Sequence, residues 1–309
     1  MSEQPDVIVI GGAAAGLSAA LTLGRARRRV LVLDTGLPRN RFAAHMHGVL
    51  GHDGLDPAEL IRIGREECRQ YDVTLTSAEV AAVTDAGTSG LSVTLTDGTA
   101  LRTRAVIVAS GLSDVLPDLP GLAEQWGRGV VHCPYCHGWE VRDQRLAVLA
   151  TGPNSLHQVQ LVRQWSDRLT FLSAGYGTLS SEEEARLRSR GIEIVTTPVA
   201  EILADDGRLS GVRLEDGRQI AYDALFTAPH SRPHDAFLAG LDLDRTENPM
   251  GSFLAVDPTG QTSHPRIWAT GNVTNPGGSV PIAIGAAVLT GAMVNMALVN
   301  EEFDTALEA

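Results

Sequence analysis

"DVIVIGGAAAG", residues 6–16, continuing as "LSAALTLGRARRRVLVLD", residues 17–34, decides the fold. Val7 to Ile10 is an unbroken apolar run of β-branched residues, the pattern of a strand buried on both faces of a parallel sheet. A small-residue turn follows at 11–16, then a segment of helical character, then a second apolar run from Val30 that ends on Asp34. Strand, turn, helix and strand make a βαβ unit, which places the chain in the α/β class. Each position of the turn has a task. Gly11 permits the tight bend, Gly16 lets the helix pack closely on the strand, the helix N-terminus suits a pyrophosphate, and Asp34 suits ribose hydroxyls. Ala13 stands where G-x-G-x-x-G has its second glycine, so the surrounding strand, helix and acid carry the reading. The alternative is a Rossmann-like unit that binds nothing.

At 309 residues the chain has room for about two domains, and 43% hydrophobic with 5% aromatic content fits a soluble α/β protein. The balance of 25 basic against 37 acidic residues gives a net charge of -12, which repels phosphate backbones and argues against nucleic acid or an anionic membrane as partner. "RARRR", 25–29, ends the first helix, where cations are favoured. The amino terminus, "MSEQPDVIVIGG", runs straight into a strand without a leader pattern, and no apolar run reaches membrane-spanning length, so a cytoplasmic location is expected. Three cysteines are too few for a disulfide scaffold. Cys68, in "GREECRQY", reads as a small hydrophobe on a helix.

An internal repeat follows. "GLSVTLTDGTALRTRAVIVASG" (90–111) and "RLSGVRLEDGRQIAYDALFTAPH" (208–230) each read as a strand, an Asp-Gly hairpin turn, a second strand and a buried third strand. "RLAVLATGPNSLHQVQLVRQWSDRLTFLS" (145–173) again reads as strand, turn, helix, strand. The chain therefore holds two Rossmann-like domains, the first split by the second: 1–114 with 232–309, and an inserted 115–231. "SDVLPDLPG" (113–121) and "HSRPH" (230–234) mark the crossings, and "HPRIWATGNV" (264–273) with the helix "PIAIGAAVLTGAMVNMAL" (281–298) returns to the first domain.

The inserted domain carries "HCPYCHGWE", His132 to Glu140. A C-x-x-C can bind zinc, lock a loop or exchange two electrons. Zinc would draw on His45, His47, His132 and His137, since no second spaced cysteine pair exists. A disulfide between such near neighbours closes a tiny loop and stabilises little. "CPYC" also occurs in glutaredoxins, but those are small single domains with the motif near the start.

A split nucleotide domain interrupted by a smaller one with C-x-x-C resembles the low-molecular-weight thioredoxin reductase family over essentially the whole chain. The resemblance implies two nucleotide-binding domains, a homodimer, and an FAD site in the first domain. "PRN" (38–40), "ASG" (109–111) and "ATGNV" (269–273) match its further FAD segments. The implied cofactor contacts are Gly11, Gly12, Ala13, Ala14, Ala15, Gly16, Asp34, Arg39, Asn40, His47, Val80, Ala109, Ser110, Gly111, Gly271, Asn272, Ser279 and Val280. Asn272 stands where the family has an aspartate, and its amide can donate to a hydroxyl or phosphate oxygen. His45 and His47 lie where the family's first domain runs near the flavin. Substrate or flavin contact and a plain loop role are equally open for them, and His132 is as readily structural.

The inserted domain departs from the NADPH pattern. Its turn reads Ala150, Thr151, Gly152, Pro153, Asn154, Ser155, so the first glycine is lost. From Thr170 to Ala185 there is no cation, and Glu182, Glu183 and Glu184 would repel a 2'-phosphate. The closing glycine of "VASG" becomes "TAPH" in the repeat. "CPYCHG" is most similar to the gliotoxin and holomycin type dithiol oxidases, a branch that forms disulfides in small natural products and passes the electrons to oxygen. There His137 replaces the acid that follows the second cysteine in the reductases. A histidine titrates near neutrality and can take a proton from a thiol, or as imidazolium stabilise a thiolate. The resemblance implies that substrate attacks Cys133, that Cys136 faces the flavin, and that hydrogen peroxide is the co-product. A reductase fed by NADPH or another donor is the second expectation. A non-enzymatic flavoprotein sensor or chaperone is disfavoured by the retained pair.

Overall fold

In a computed structural model, which describes residues 4–308, the chain opens as β1 (Val7–Ile10), α1 (Ala14–Arg25), β2 (Val30–Asp34), α2 (Pro57–Arg69) and β3 (Thr74–Ser77). The antiparallel set β4 (Val80–Asp85), β5 (Leu91–Leu95) and β6 (Ala100–Thr103) follows, then β7 (Ala105–Val108) and β8 (Leu112–Val115). Next come α3 (Leu122–Gln125), β9 (Val130–Val131), α4 (Pro134–His137), β10 (Leu146–Leu149), α5 (Asn154–Val162), β11 (Leu169–Leu172), α6 (Ser181–Ser189) and β12 (Glu193–Val195). A second antiparallel set, β13 (Val199–Asp205), β14 (Arg208–Leu214) and β15 (Gln219–Ala221), leads into β16 (Ala224–Thr227) and β17 (His230–Pro233). The chain closes with β18 (Arg245–Asn248), β19 (Gly251–Leu254), β20 (Ile267–Ala269) and α7 (Val280–Glu308). Met1–Glu3, at the start of the amino-terminal reading, and Ala309 lie outside the described residues.

The chain divides into two compact units. One holds the residues up to Arg41, Leu55–Ser113 and those from Ser231 on; the other holds Phe42–Gly54 and Asp114–His230. In the first, a parallel sheet runs β20-β7-β1-β2-β3, with Val7 between Val30 and Ala105 in register. In the second, a parallel sheet runs β12-β11-β10-β16-β9, with Leu146 between Leu169 and Ala224. The central strands are fully buried, as unbroken apolar runs require. Each sheet has its own three-stranded antiparallel partner, β4-β5-β6 and β13-β14-β15, inserted before the strand that returns to it. The two Asp-Gly repeats are the last two strands of each set with the parallel strand that follows, β5-β6-β7 and β14-β15-β16, and the strand that opens each set, β4 or β13, has no turn signal of its own.

Two features differ from the sequence reading. Phe42–Gly54 groups with the second unit, where Phe42 lies against Gly127 so closely that a Cβ on that glycine would fall 2.6 Å from the Phe42 Cβ. The other is α7, which extends ten residues beyond 298, to Glu308, and is long and apolar enough by length and composition to cross a membrane. That corrects the expectation that no run reaches such length; interspersed Gly, Thr and Asn hid it. Its Ala287, Thr290, Gly291, Val294 and Leu298 are buried, and Gly291 is pressed on α1, where a Cβ would lie 2.9 Å from the Ala19 carbonyl oxygen. At its far end Glu301 and Glu302 each pair with Arg104 at 2.7 Å.

Candidate functional site

In the first unit the turn after β1 is closed by contacts that leave no room for side chains. A Cβ on Gly11, whose φ is +105°, would lie 2.3 Å from the Ala109 carbonyl oxygen, and one on Gly16 would lie 1.8 Å from the Gly11 oxygen. A Cβ on Gly12 would meet Asp34 at 2.8 Å, and one on Gly271 would meet the Ala15 Cβ at 2.9 Å. Arg39 Nη1 donates to the Pro276 carbonyl at 2.8 Å. The segments 11–16, 34, 39, 109 and 271–276 are thereby drawn together. Ser110 Oγ donates to the His234 carbonyl at 2.5 Å, and the His234 N–H donates to the Gly111 carbonyl at 3.0 Å. Asn40 follows Arg39 in a turn, Val80 opens β4 opposite Leu95, and Ser279 and Val280 open α7, with the Ser279 carbonyl accepting the Ala283 N–H at 2.9 Å.

These residues fit a dinucleotide. Ala13 enters α1 in an extended conformation with no side-chain cap, so the first-turn N–H groups of Ala14 and Ala15 are offered at the turn. Thr270, between β20 and Gly271, has a buried hydroxyl with no hydrogen-bond partner among the described residues. Asp34 accepts the Gly12 N–H at 3.0 Å on one oxygen and Arg65 Nη2 at 2.5 Å on the other. Sequence reasoning missed Arg65: it lies on α2 with no local motif, and only the packing of α2 beside α1 brings it there. Asn272 requires a correction. Its Nδ2 donates to the carbonyls of Asn275 and Gly278, both at 2.9 Å, so its donors are consumed within the loop and its Oδ1 is what it can offer a ligand, as an acceptor.

In the second unit Cys133 is the N-cap of α4, with Pro134 in the first helical position, where a missing N–H costs nothing. The Cys136 N–H donates to the Cys133 carbonyl at 3.2 Å, and one helical turn sets both side chains on one side. Gly138 permits this turn to pack: a Cβ there would lie 2.6 Å from the Pro134 oxygen and 2.7 Å from the Trp165 ring. Tyr135 meets Trp165 edge-on at 5.5 Å, and Arg142 covers the Trp139 ring at 4.1 Å. Tyr135 and Trp139 are nonetheless exposed on either side of Cys136.

His137, directly after Cys136, is close enough to His47 and His132 to feel their charges. Burial holds the His137 imidazole below its usual range; Glu140 opposes that shift, and the charges of His47 and His132 add to it. At neutral pH His137 is therefore the neutral, proton-accepting form, and of the two roles open to it that of base is favoured over that of imidazolium. His132 Nδ1 faces the Thr227 carbonyl at 3.1 Å, which assigns that nitrogen the proton, and Gln158 Nε2 donates to the His132 carbonyl at 2.8 Å. His45 Nδ1 rests on the Gly54 carbonyl at 3.1 Å. His47 lies with its Nδ1 3.4 Å from Asp53 and its Nε2 3.4 Å from Glu140. Asp53 and Glu140 were not singled out in the sequence, although Glu140 lies three residues past His137. Among the described residues no group of three or more His, Cys, Asp or Glu is arranged to hold a metal ion. Cys68 is of another kind: it is fully buried, donates to the Leu17 carbonyl at 3.5 Å, and burial pushes its thiol up to about 11.

The second unit's nucleotide-type turn is filled from within. The Thr151 N–H donates to Ser155 Oγ at 3.0 Å, and Thr151 Oγ1 donates to the Ala228 carbonyl at 2.5 Å. Beside it a cavity of about 460 Å³ is lined by residues such as Leu119, Ala150, Leu172, Pro198 and Pro229, with Asp118 and His230 its only titratable side chains. Glu182–Glu184 form the first turn of α6, where carboxylates are stabilised, and Ser180 and Glu183 make a reciprocal capping box.

Similarity to known proteins agrees with this architecture. The chain is 33% identical to thioredoxin reductase tcpT of Claviceps purpurea over 97% of its length and 96% of that protein. It is 34% identical to thioredoxin reductase sirT of Leptosphaeria maculans, over 94% of this chain and 93% of that one. The crystal structure of HlmI superposes with a TM-score of 0.94 at 39% identity, covering 100% of this chain and 96% of that one. Residues 5–288 match the model of one family. With its two Rossmann-like units, the chain belongs to the pyridine nucleotide-disulphide oxidoreductase family and is a thioredoxin reductase-like redox enzyme.

Proposed function

We propose that the protein is an FAD-dependent dithiol oxidase that closes an intramolecular disulfide in a small natural-product dithiol, with oxygen as acceptor and hydrogen peroxide as co-product. The observation that carries the reading is the second unit's nucleotide-type cavity: it has no Lys or Arg in its lining, the Ser155 hydroxyl takes the Thr151 N–H, and the Thr151 hydroxyl is spent on the Ala228 carbonyl. FAD, held by Gly11–Gly16, Asp34, Arg39, Ala109–Gly111 and the 271–280 segment, would supply the acceptor for the electron pair collected by Cys136 and its transfer to oxygen. His137, neutral at pH 7, takes the proton of the incoming thiol. The resulting thiolate attacks Cys133, Cys136 leaves, and the substrate's second sulfur releases the product from Cys133. Exposed Tyr135 and Trp139 offer apolar walls to a small substrate. Natural-product chemistry is supported by the resemblance of "CPYCHG" to the gliotoxin and holomycin type oxidases.

The names of the two fungal relatives support a second reading, a thioredoxin-disulfide reductase using NADPH or another donor. One experiment separates the two. Mixed anaerobically, NADPH leaves the flavin absorbance unchanged, whereas dithiothreitol bleaches it and air restores it with one hydrogen peroxide per disulfide. Rapid bleaching by NADPH, or reoxidation that requires a thioredoxin-like protein, would give the assignment to the reductase.

A further inference from the structure

Two arginines on α2 serve different partners. Arg62 is held on its own helix, between Glu59 at 2.6 Å and Glu66 at 2.5 Å. Arg65 instead reaches across to β2, where its Nη2 donates to Asp34 Oδ2 at 2.5 Å while Asp34 Oδ1 accepts the Gly12 N–H at 3.0 Å. Its place is fixed by the residues on either side of it. Gly64 lies against Leu17, where a Cβ would fall 3.1 Å from Leu17 Cδ1, and Cys68 donates to the Leu17 carbonyl at 3.5 Å. These contacts seat α2 on α1, and all of these residues belong to the first unit.

The consequence is electrostatic. Asp34 ends β2 beside the turn that would take a dinucleotide's ribose and diphosphate. A bare carboxylate there can accept from the ribose hydroxyls, but it repels the diphosphate. We propose that Arg65 is a positioning residue that acts through Asp34 to give the site its preference for a flavin dinucleotide over the mononucleotide, an inference that rests on the reading of FAD as the flavin. The guanidinium offsets the charge of Asp34. Together with the Gly12 N–H it engages one lone pair on each carboxylate oxygen, which fixes the carboxylate plane and leaves the remaining lone pairs for the ribose diol. The Asp34 side chain is only 16% exposed, so the pair is screened less than a surface ion pair. FMN has no adenosine half, so nothing in it calls on Asp34.

The test follows flavin release. Holoprotein is diluted, and the rise of flavin fluorescence gives the rate at which FAD leaves; protein exchanged into FMN is treated alike. Arg65→Ala should release FAD about tenfold faster than wild type, the scale of one charge-assisted hydrogen bond, and leave FMN release unchanged. Arg65→Lys, which keeps the cation, should recover part of the loss. In an Asp34→Asn background Arg65→Ala should add nothing further, because the guanidinium acts through the carboxylate. Unchanged FAD release, equal acceleration for FAD and FMN, or a full further loss in the Asp34→Asn background would reduce Arg65 to a contact of the fold and overturn the proposal. Should Arg65→Ala fail to fold, Arg65→Gln and Arg65→Lys make the same comparison. A wild type that holds FMN as tightly as FAD would instead overturn the FAD reading, and the proposal with it.

Discussion

At the scale of the residue, chemistry is divided by environment. Cys68 is sealed between helices with its thiol pushed up to about 11, so it is inert, whereas Cys133 and Cys136 sit at the start of a one-turn helix among histidines. His137 is the residue on which pH acts. Its pKa is depressed by burial, so the unfolded chain takes up this proton at higher pH than the folded chain does. Stability from this group is complete above about 6.5, the unfolded value, and is lost as the pH falls through the lower folded value. Activity that needs the neutral ring follows the same sense, with an acid limb below about 6.5. His137→Asn should retain the flavin, reduce the rate of dithiol oxidation by roughly a hundredfold or more, and abolish that limb in a kcat/KM profile. A profile that kept its acid limb would assign it to another group.

At the scale of the element, glycines decide whether α4 can present the pair. Gly138 has backbone on one side and the Trp165 ring on the other, so Gly138→Ala must displace one of them. The expected cost is about 1–3 kcal/mol of stability, with slowed alkylation at Cys133; chemical denaturation and mass spectrometry of the alkylated protein check both. The nucleotide-type turns show the converse. In the turn after β1, glycines let the backbone close on Ala109, Gly11 and Asp34 with no side chain between them, whereas after β10 Thr151 and Ser155 close on each other. The three glutamates read from sequence as phosphate-repelling are also the N-terminal turn of α6, so their position has a structural cause of its own.

At the scale of the whole molecule, two copies of one plan have diverged. Both units have a five-stranded parallel sheet with a three-stranded antiparallel insert, but only the first retains the glycine-lined turn. The chromophore released by heat from the purified protein should therefore be FAD, in a ratio of one per chain, and chromatography against FMN and FAD standards checks it. Gly11→Ala, strained by its positive φ and by the Ala109 carbonyl, should lose that chromophore and roughly 2 kcal/mol or more of stability. The resemblance to low-molecular-weight reductases implies a homodimer. Sedimentation at micromolar concentration should find twice the mass of one chain.

The βαβ start, the repeated Asp-Gly hairpins and the order of the two nucleotide-type units were legible in the sequence, because burial on both faces of a parallel strand and the turn's need for glycine leave local marks. "HCPYCHGWE" likewise marked the redox pair, since cysteine spacing along one helical turn is a local property. Tertiary structure alone decided what distant residues do to these local features. Arg65 reaches Asp34 across 31 positions, and Asn272 turns its donors inward to two loop carbonyls. The segment 42–54 leaves the unit of its chain neighbours and sets His47 between Asp53 and Glu140. Such contacts are made by side chains on loops, where no hydrophobic period records the partner, so they exist only once the chain has folded.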